Sequence, residues 1–188
     1  MTTKEIILAE AGKLFMDKGF QATSTREIAE KAEITQPNLY HHFETKEDIY
    51  IAVLEQLSEE IKEGLEYIIQ TDGHSLYESL VNILEYLRDK HPANFSLMRH
   101  DMTYRVSKDN HYHLYEIWRT SYLEPLVNLF EHYHQEEMVF SPRELTRYFY
   151  SSMAPFIQKD NPFFKEISSG KAVYLFVYGI LDREEKEC

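Results

Sequence analysis

Cysteine is all but absent: the 188-residue chain has one, Cys188, as its last residue. That rules out a disulfide framework and a cysteine-based metal site, and it suits a reducing, cytoplasmic setting. Glycine and proline number six each, too few for a loop-rich or strand-rich architecture. Sustained two-residue alternation, internal repeats and low-complexity segments are missing too. The longest apolar run, Ala172 to Leu181, is far too short to cross a bilayer, so no membrane partner is expected. The opening M-T-T-K-E-I-I-L-A-E is amphipathic and carries acids, unlike a signal peptide. No G-x-S-x-G, glycine-rich phosphate loop or H-E-x-x-H is present, so neither an enzyme nor a cofactor is expected. Positive charge is the last shortage: 20 Lys and Arg face 32 Asp and Glu, a net charge of -12. Bulk charge therefore cannot hold a polyanion.

What the chain has in plenty is helical periodicity. Ile7, Ala11, Leu14 and Phe15 recur at helix spacing from about Thr3 to Lys18, with Gly19 as a stop. Ser24 with Glu27 predicts a capping box for a second helix facing inward through Ile28, Ala29 and Ala32. A third begins after Thr35, with Pro37 tolerated in its first turn and Leu39 and Phe43 as anchors. Thr45 and Asp48 cap a longer fourth helix through Leu54, Leu57, Ile61 and Leu65. Ser75 and Glu78 open the next, which His91-Pro92 ends. Helices then follow over about 93–106 and 109–134, where Pro125 should impose a kink. Ser141-Pro142-Arg143-Glu144 starts another, and Asn161-Pro162 opens the last, reaching about Arg183. The pattern is all-α, with about nine helices.

Thr35 to Phe43, T-Q-P-N-L-Y-H-H-F, is free of acids in an otherwise anionic chain. With the short helix S-T-R-E-I-A-E-K-A before it, this run has the form of a helix-turn-helix whose second helix is polar and uncharged outside. Residues 1–50 carry six Lys and Arg against nine Asp and Glu. Contact with DNA must therefore come from a local face, and affinity is expected to fall steeply with salt.

These residues resemble the TetR family of bacterial transcriptional regulators. The resemblance lies in Ala11, Leu14-Phe15, Gly19-Phe20, Thr23-Ser24, Arg26-Glu27-Ile28-Ala29, Ala32, Ile34-Thr35, Leu39-Tyr40, His42-Phe43 and Lys46. It implies a helix-turn-helix DNA-binding domain over 1–46 and a ligand-binding and dimerisation domain over 47–188. It also implies a cytoplasmic homodimer, most simply a repressor, on a palindromic double-stranded operator, released by a small, largely apolar effector. Gln36 and Asn38 would read bases and Pro37 would meet a thymine methyl. Thr25, Arg26, Tyr40, His41, His42 and Lys46 would contact phosphates. Glu33 stands where the family usually has glycine, so a left-handed turn there would cost about 1–2 kcal/mol.

The aromatic wealth of the second part has two readings, core or pocket. On the resemblance, Phe95, Met98, Met102, Tyr104, Trp118, Tyr122, Phe130, Tyr148 and Phe149 would line an apolar cavity. Asp101, Glu116 and Glu124 would suit a cationic ligand. The last helix is apolar nearly all round and needs cover on both sides. A dimer interface through Phe149, Met153, Phe156, Val173, Phe176, Val177 and Ile180 follows from that. Histidine pairs such as His111/His113 and His132/His134 stand two apart and point to different sides of a helix, so no metal site is expected. Two alternatives remain: a DNA-associated protein of this fold controlled by a protein partner, or an enzyme with a polar cleft.

Overall fold

The computed structural model describes residues 1–71, 73–90, 95–104, 106–133, 139–158, 161 and 166–180. Among these residues the chain is helical throughout, with no strand. The elements are α1 (Thr3–Ala22), α2 (Thr25–Lys31), α3 (Gln36–His42), α4 (Lys46–Gln70), α5 (Leu76–Lys90) and α6 (Phe95–Tyr104). Then come α7 (Lys108–Trp118), a π segment (Arg119–Leu123), α8 (Glu124–His132), α9 (Pro142–Ile157) and α10 (Ser169–Ile180).

The starts expected from sequence recur with their bonds in place. Thr45 and Asp48 exchange a backbone-to-side-chain pair at 2.8 and 3.1 Å, and the Ser75/Glu78 and Ser141/Glu144 boxes close likewise. Each satisfies amides that the first helical turn leaves bare. The Ser24 box is only half made. Ser24 Oγ accepts from the Glu27 amide, but the Glu27 carboxylate takes the Lys18 ammonium instead, 2.5 Å away.

Three boundaries differ from the sequence reading. Gly19 does not stop α1; it breaks it, with φ 85° and ψ 170°, and helix resumes as far as Ala22. A left-handed φ of that kind suits glycine because it lacks a Cβ. The single helix expected over 109–134 is divided. Pro125 has no N–H, and its ring crowds the carbonyl one turn back, so the α ladder cannot pass through it. The backbone widens into the π segment directly before α8. Finally, α10 opens at Ser169 and not at Asn161-Pro162. Ser168 accepts from the Lys171 amide, while Pro162 and the expected end at Arg183 lie outside the described residues.

The chain forms two compact units, Met1–Glu60 with Pro92–Trp118, and Ile61–His91 with Arg119–Cys188. The first unit takes in α6 and α7, which pack with the N-terminal helices. The first unit closes on Ile7, Ala11, Phe15, Ile28, Leu39, Ile49 and Tyr50. Phe15 meets the Tyr50 ring edge-on, centroids 5.0 Å apart. The second closes on Ile61, Leu65, Leu80, Ile83, Leu84, Leu87, Leu126, Phe130, Leu145, Phe149, Val173 and Phe176.

Candidate nucleic-acid interface

The turn between α2 and α3 sets the recognition helix. Glu33 holds φ 55°, the one positive value at a non-glycine residue among those described. Its neighbours account for this. The Ile34 amide donates to Ala29 O at 2.9 Å and the Glu33 amide to Glu30 O at 3.2 Å. That pair of bonds is a Schellman cap, which requires a left-handed residue at the position Glu33 occupies. The turn is thus built as its pattern demands, and the strain is carried.

Helix α3 then starts with Thr35 Oγ1 accepting from the Asn38 amide. Leu39 is 0% exposed and Phe43 7%, and these two residues fix the inner side. Gln36, Pro37, Asn38, Tyr40 and His41 are all exposed, and His42 is half-buried. The outer side carries amides, imidazoles and a phenol, with no carboxylate. Across the turn, Thr25 at the start of α2 bonds to the Tyr40 hydroxyl at 3.0 Å and receives Gln36 Nε2 at 3.4 Å. The structure therefore brings Thr25, Gln36 and Tyr40 into one cluster, with Pro37, Asn38 and His41 on the same exposed stretch. Arg26 is exposed and pairs with Glu30 at 3.0 Å, a contact that water leaves weak.

Lys46 is the exception among the expected phosphate contacts. Its ammonium donates to Phe20 O at 2.8 Å and Thr23 O at 3.0 Å, and it lies 4.2 Å from the Phe20 ring centre. It caps the carbonyls at the end of α1 instead of reaching outward. Burial pushes this ammonium below the ordinary lysine value, against the opposing pull of Asp101. Asp101 is 3% exposed and accepts the Phe20 amide at 2.8 Å, the amide that the Gly19 break frees from the helix. The acid is thus a structural partner within the first unit and not a free group for a cationic ligand. Sequence reading missed this pair because the residues are 81 apart in the chain.

Several of the nearby cations have partners in the structure. Lys13 pairs with Glu10, Lys18 with Glu27 and Arg26 with Glu30, while Lys4 sits 5.4 Å from the Phe43 ring centre. The salt slope counts the cations placed on phosphates.

Glu47 ties α4 to the start of α7, receiving the Ser107 amide and hydroxyl and the Asn110 amide group. Burial raises its carboxyl, but these bonds outweigh burial and hold it below the usual carboxylate range. His111 bonds to Val106 O and His113 to Glu55, so both histidines have structural partners.

The residues expected at a pocket and a dimer contact fall differently. In the first unit Met98 is buried, and Met102 and Trp118 are half-buried; the side chains of Phe95 and Tyr104 lie outside the described residues. In the second, Phe149 is fully buried edge-on to Phe176, Phe130 is tilted against the same ring, and Tyr122 O accepts from the Tyr150 hydroxyl. Tyr148 is instead 67% exposed. It lines a hollow of about 620 Å³ between α9 and α10 with Phe140, Leu145, Ser151, Leu175 and Phe176. A second hollow, about 470 Å³, lies between α1 and α4 along Leu8, Gly12, Met16, Val53 and Leu57. Apart from Tyr148, none of the expected pocket residues lines either.

Of the expected dimer contacts, Phe149, Met153, Val173, Phe176 and Val177 are buried within their own unit, Phe156 is half-buried and the Ile180 side chain lies outside the described residues. The outward apolar residues are Tyr174, Leu175 (73% exposed) and Tyr178. Residues 173, 176 and 177 share one side of a helix and 174, 175 and 178 the other. A helix apolar on both sides does not reveal from sequence which side its own domain takes.

Comparison with known proteins bears on this geometry. Residues 7–53 match the model of the bacterial regulatory proteins of the tetR family. Over this stretch, about a quarter of its length, the chain is similar to that family. Relatives include the HTH-type transcriptional activator FasR of Mycolicibacterium smegmatis, 30% identical over 107 residues, covering 56% of this chain and 45% of FasR. The regulator QacR of Staphylococcus aureus is 43% identical over 54 residues, 29% of each chain. The chain thus spans less than half the length of these curated relatives, which are regulators and not enzymes. The likeness of fold extends further than the sequence match. AibR, solved with isovaleryl coenzyme A and operator DNA, superposes with a TM-score of 0.71 at 18% identity, over 96% of this chain and 98% of AibR.

Proposed function

We propose that this chain is a homodimeric transcriptional repressor that sets α3 of each subunit into the major groove of a palindromic operator. The observation that carries the reading is the split character of α3: Leu39 and Phe43 anchor it inward while Gln36, Pro37, Asn38, Tyr40 and His41 stay exposed without an acid among them. Gln36 and Asn38 read base edges, Pro37 meets a thymine methyl, and Thr25, Arg26, Tyr40, His41 and His42 hold phosphates. The half-sites stand about one helical turn, roughly 34–36 Å, apart. Support for a second subunit comes from the outward apolar strip of Tyr148, Tyr174, Leu175 and Tyr178. Strips of that kind on a soluble chain mark association surfaces.

The effector is a small, largely apolar organic molecule. It acts by preferring the conformation that does not bind DNA; a coupling of about 1–3 kcal/mol gives a useful response. AibR, of similar fold, was solved with both isovaleryl coenzyme A and operator DNA, a precedent for an organic ligand and DNA on one chain. The test is a footprint on DNA upstream of the chain's own gene, repeated with cell extract as an inducer source. Protection of a symmetric site, lost on adding extract, is the expected result. Absence of any protected site overturns the reading, and protection that no extract relieves overturns the effector.

A further inference from the structure

From the bonding around Thr25 we infer that the Gln36 amide is locked in one orientation, so that it accepts from an amino-bearing base, adenine or cytosine, and rejects guanine and thymine. This rests on the DNA-reading role proposed for α3. Three side chains are linked at the exposed surface: Gln36 Nε2 donates to Thr25 Oγ1 at 3.4 Å, and Thr25 Oγ1 lies 3.0 Å from the Tyr40 hydroxyl. The threonine hydroxyl has a single hydrogen to give. Gln36 can donate to it while that hydrogen goes to the Tyr40 oxygen, an arrangement that leaves the phenol its own hydrogen for a third group. In the opposite polarity Tyr40 donates to Thr25 and faces outward only as an acceptor, which a phosphate oxygen cannot use. A phosphate beneath Tyr40 therefore selects the sequence Gln36 to Thr25 to Tyr40 to phosphate.

That sequence fixes the flip of the Gln36 amide. Its nitrogen is turned toward Thr25, and Oε1 is the acceptor presented to DNA. In the major groove an acceptor pairs with adenine N6 or cytosine N4, and it meets like charge at guanine O6 and thymine O4. An untethered amide can flip and donate to those keto oxygens instead. Thr25 is thus a positioning residue for base choice, quite apart from its own contact with phosphate.

The test selects bound duplexes from a random-sequence pool with the full-length protein. The position whose preference vanishes in Gln36→Ala is the one beneath Gln36, and affinities are then measured for each base pair there. In the wild type the amino-bearing bases are favoured by about fivefold or more. Thr25→Val should lower that ratio to below about twofold, Thr25→Ser should restore it, and Gln36→Glu, an acceptor only, should keep the rank order at lower affinity. A wild-type preference for guanine or thymine, a Thr25→Val ratio equal to wild type, or a reversed order in Gln36→Glu each overturns the inference while leaving DNA binding intact. If the wild type enriches no duplex, the DNA-reading role itself falls, and this inference with it.

Discussion

Helices α3 and α10 are built on the same plan and end in opposite surfaces. Each commits one side to its own unit: Leu39 in α3, and Val173, Phe176 and Val177 in α10. Beyond that, α3 turns amides, a phenol and imidazoles to solvent, and α10 turns Tyr174, Leu175 and Tyr178. Burial does not distinguish the two helices, since both anchor firmly. What remains outside does: polar groups without net charge suit a groove of base edges, and apolar rings suit a like surface on a second subunit.

The comparison can be broken at its anchors first. Leu39→Ala should remove about 2–5 kcal/mol of stability and abolish DNA binding, read by urea unfolding and by gel shift. Unfolding unchanged from wild type would mean that α3 is not held from within. Next in size is Lys46→Ala, which strips two carbonyls of a charged donor and should lower stability by about 1.5–3 kcal/mol. Its sharper readout is the slope of log affinity against log salt. A slope equal to wild type agrees with Lys46 capping α1, and a slope flattened by about one says that the ammonium sits on phosphate.

On the other helix, Leu175→Glu should convert a dimer to a monomer in sedimentation while leaving the thermal midpoint of the subunit close to wild type. A dimer that survives would move the association surface elsewhere. Smaller still, Glu33→Gly should relieve the left-handed turn by about 1 kcal/mol, less the extra freedom glycine brings to the unfolded chain. It also removes a carboxylate beside the recognition helix, so DNA binding should tighten. Last comes acid. Glu47 has its folded value depressed, so its contribution is present above the unfolded carboxylate value near 4.3 and fades as pH falls through the lower folded value. Glu47→Gln should therefore flatten the acid limb of a stability–pH curve, and identical limbs would count against the cap on α7.

Much of this was legible in the chain because helix starts are local. A serine or threonine three residues ahead of a carboxylate fixes its own geometry, and Thr45, Ser75 and Ser141 all do so. The outward set on α3 was legible for the same reason, since Leu39 and Phe43 define one side of a short helix. Failures came where distant residues compete. Glu27 has a local partner in Ser24 but spends its carboxylate on Lys18, and Lys46 turns from solvent to the end of α1. For α10 periodicity gave two apolar sides and no means of ranking them. Pro125 announced a disturbance, and the π segment is the form it took.

The corner at Phe20 has a consequence for anyone who would transplant the DNA reader. Its amide is held by Asp101 and its carbonyl by Lys46, so the residue after the Gly19 break is gripped on both sides. A graft cut after residue 53, where the family match stops, would keep the lysine and leave the aspartate behind. Such a chimera carries a bare, inward-facing amide at its first corner unless the recipient supplies a carboxylate at the matching spot.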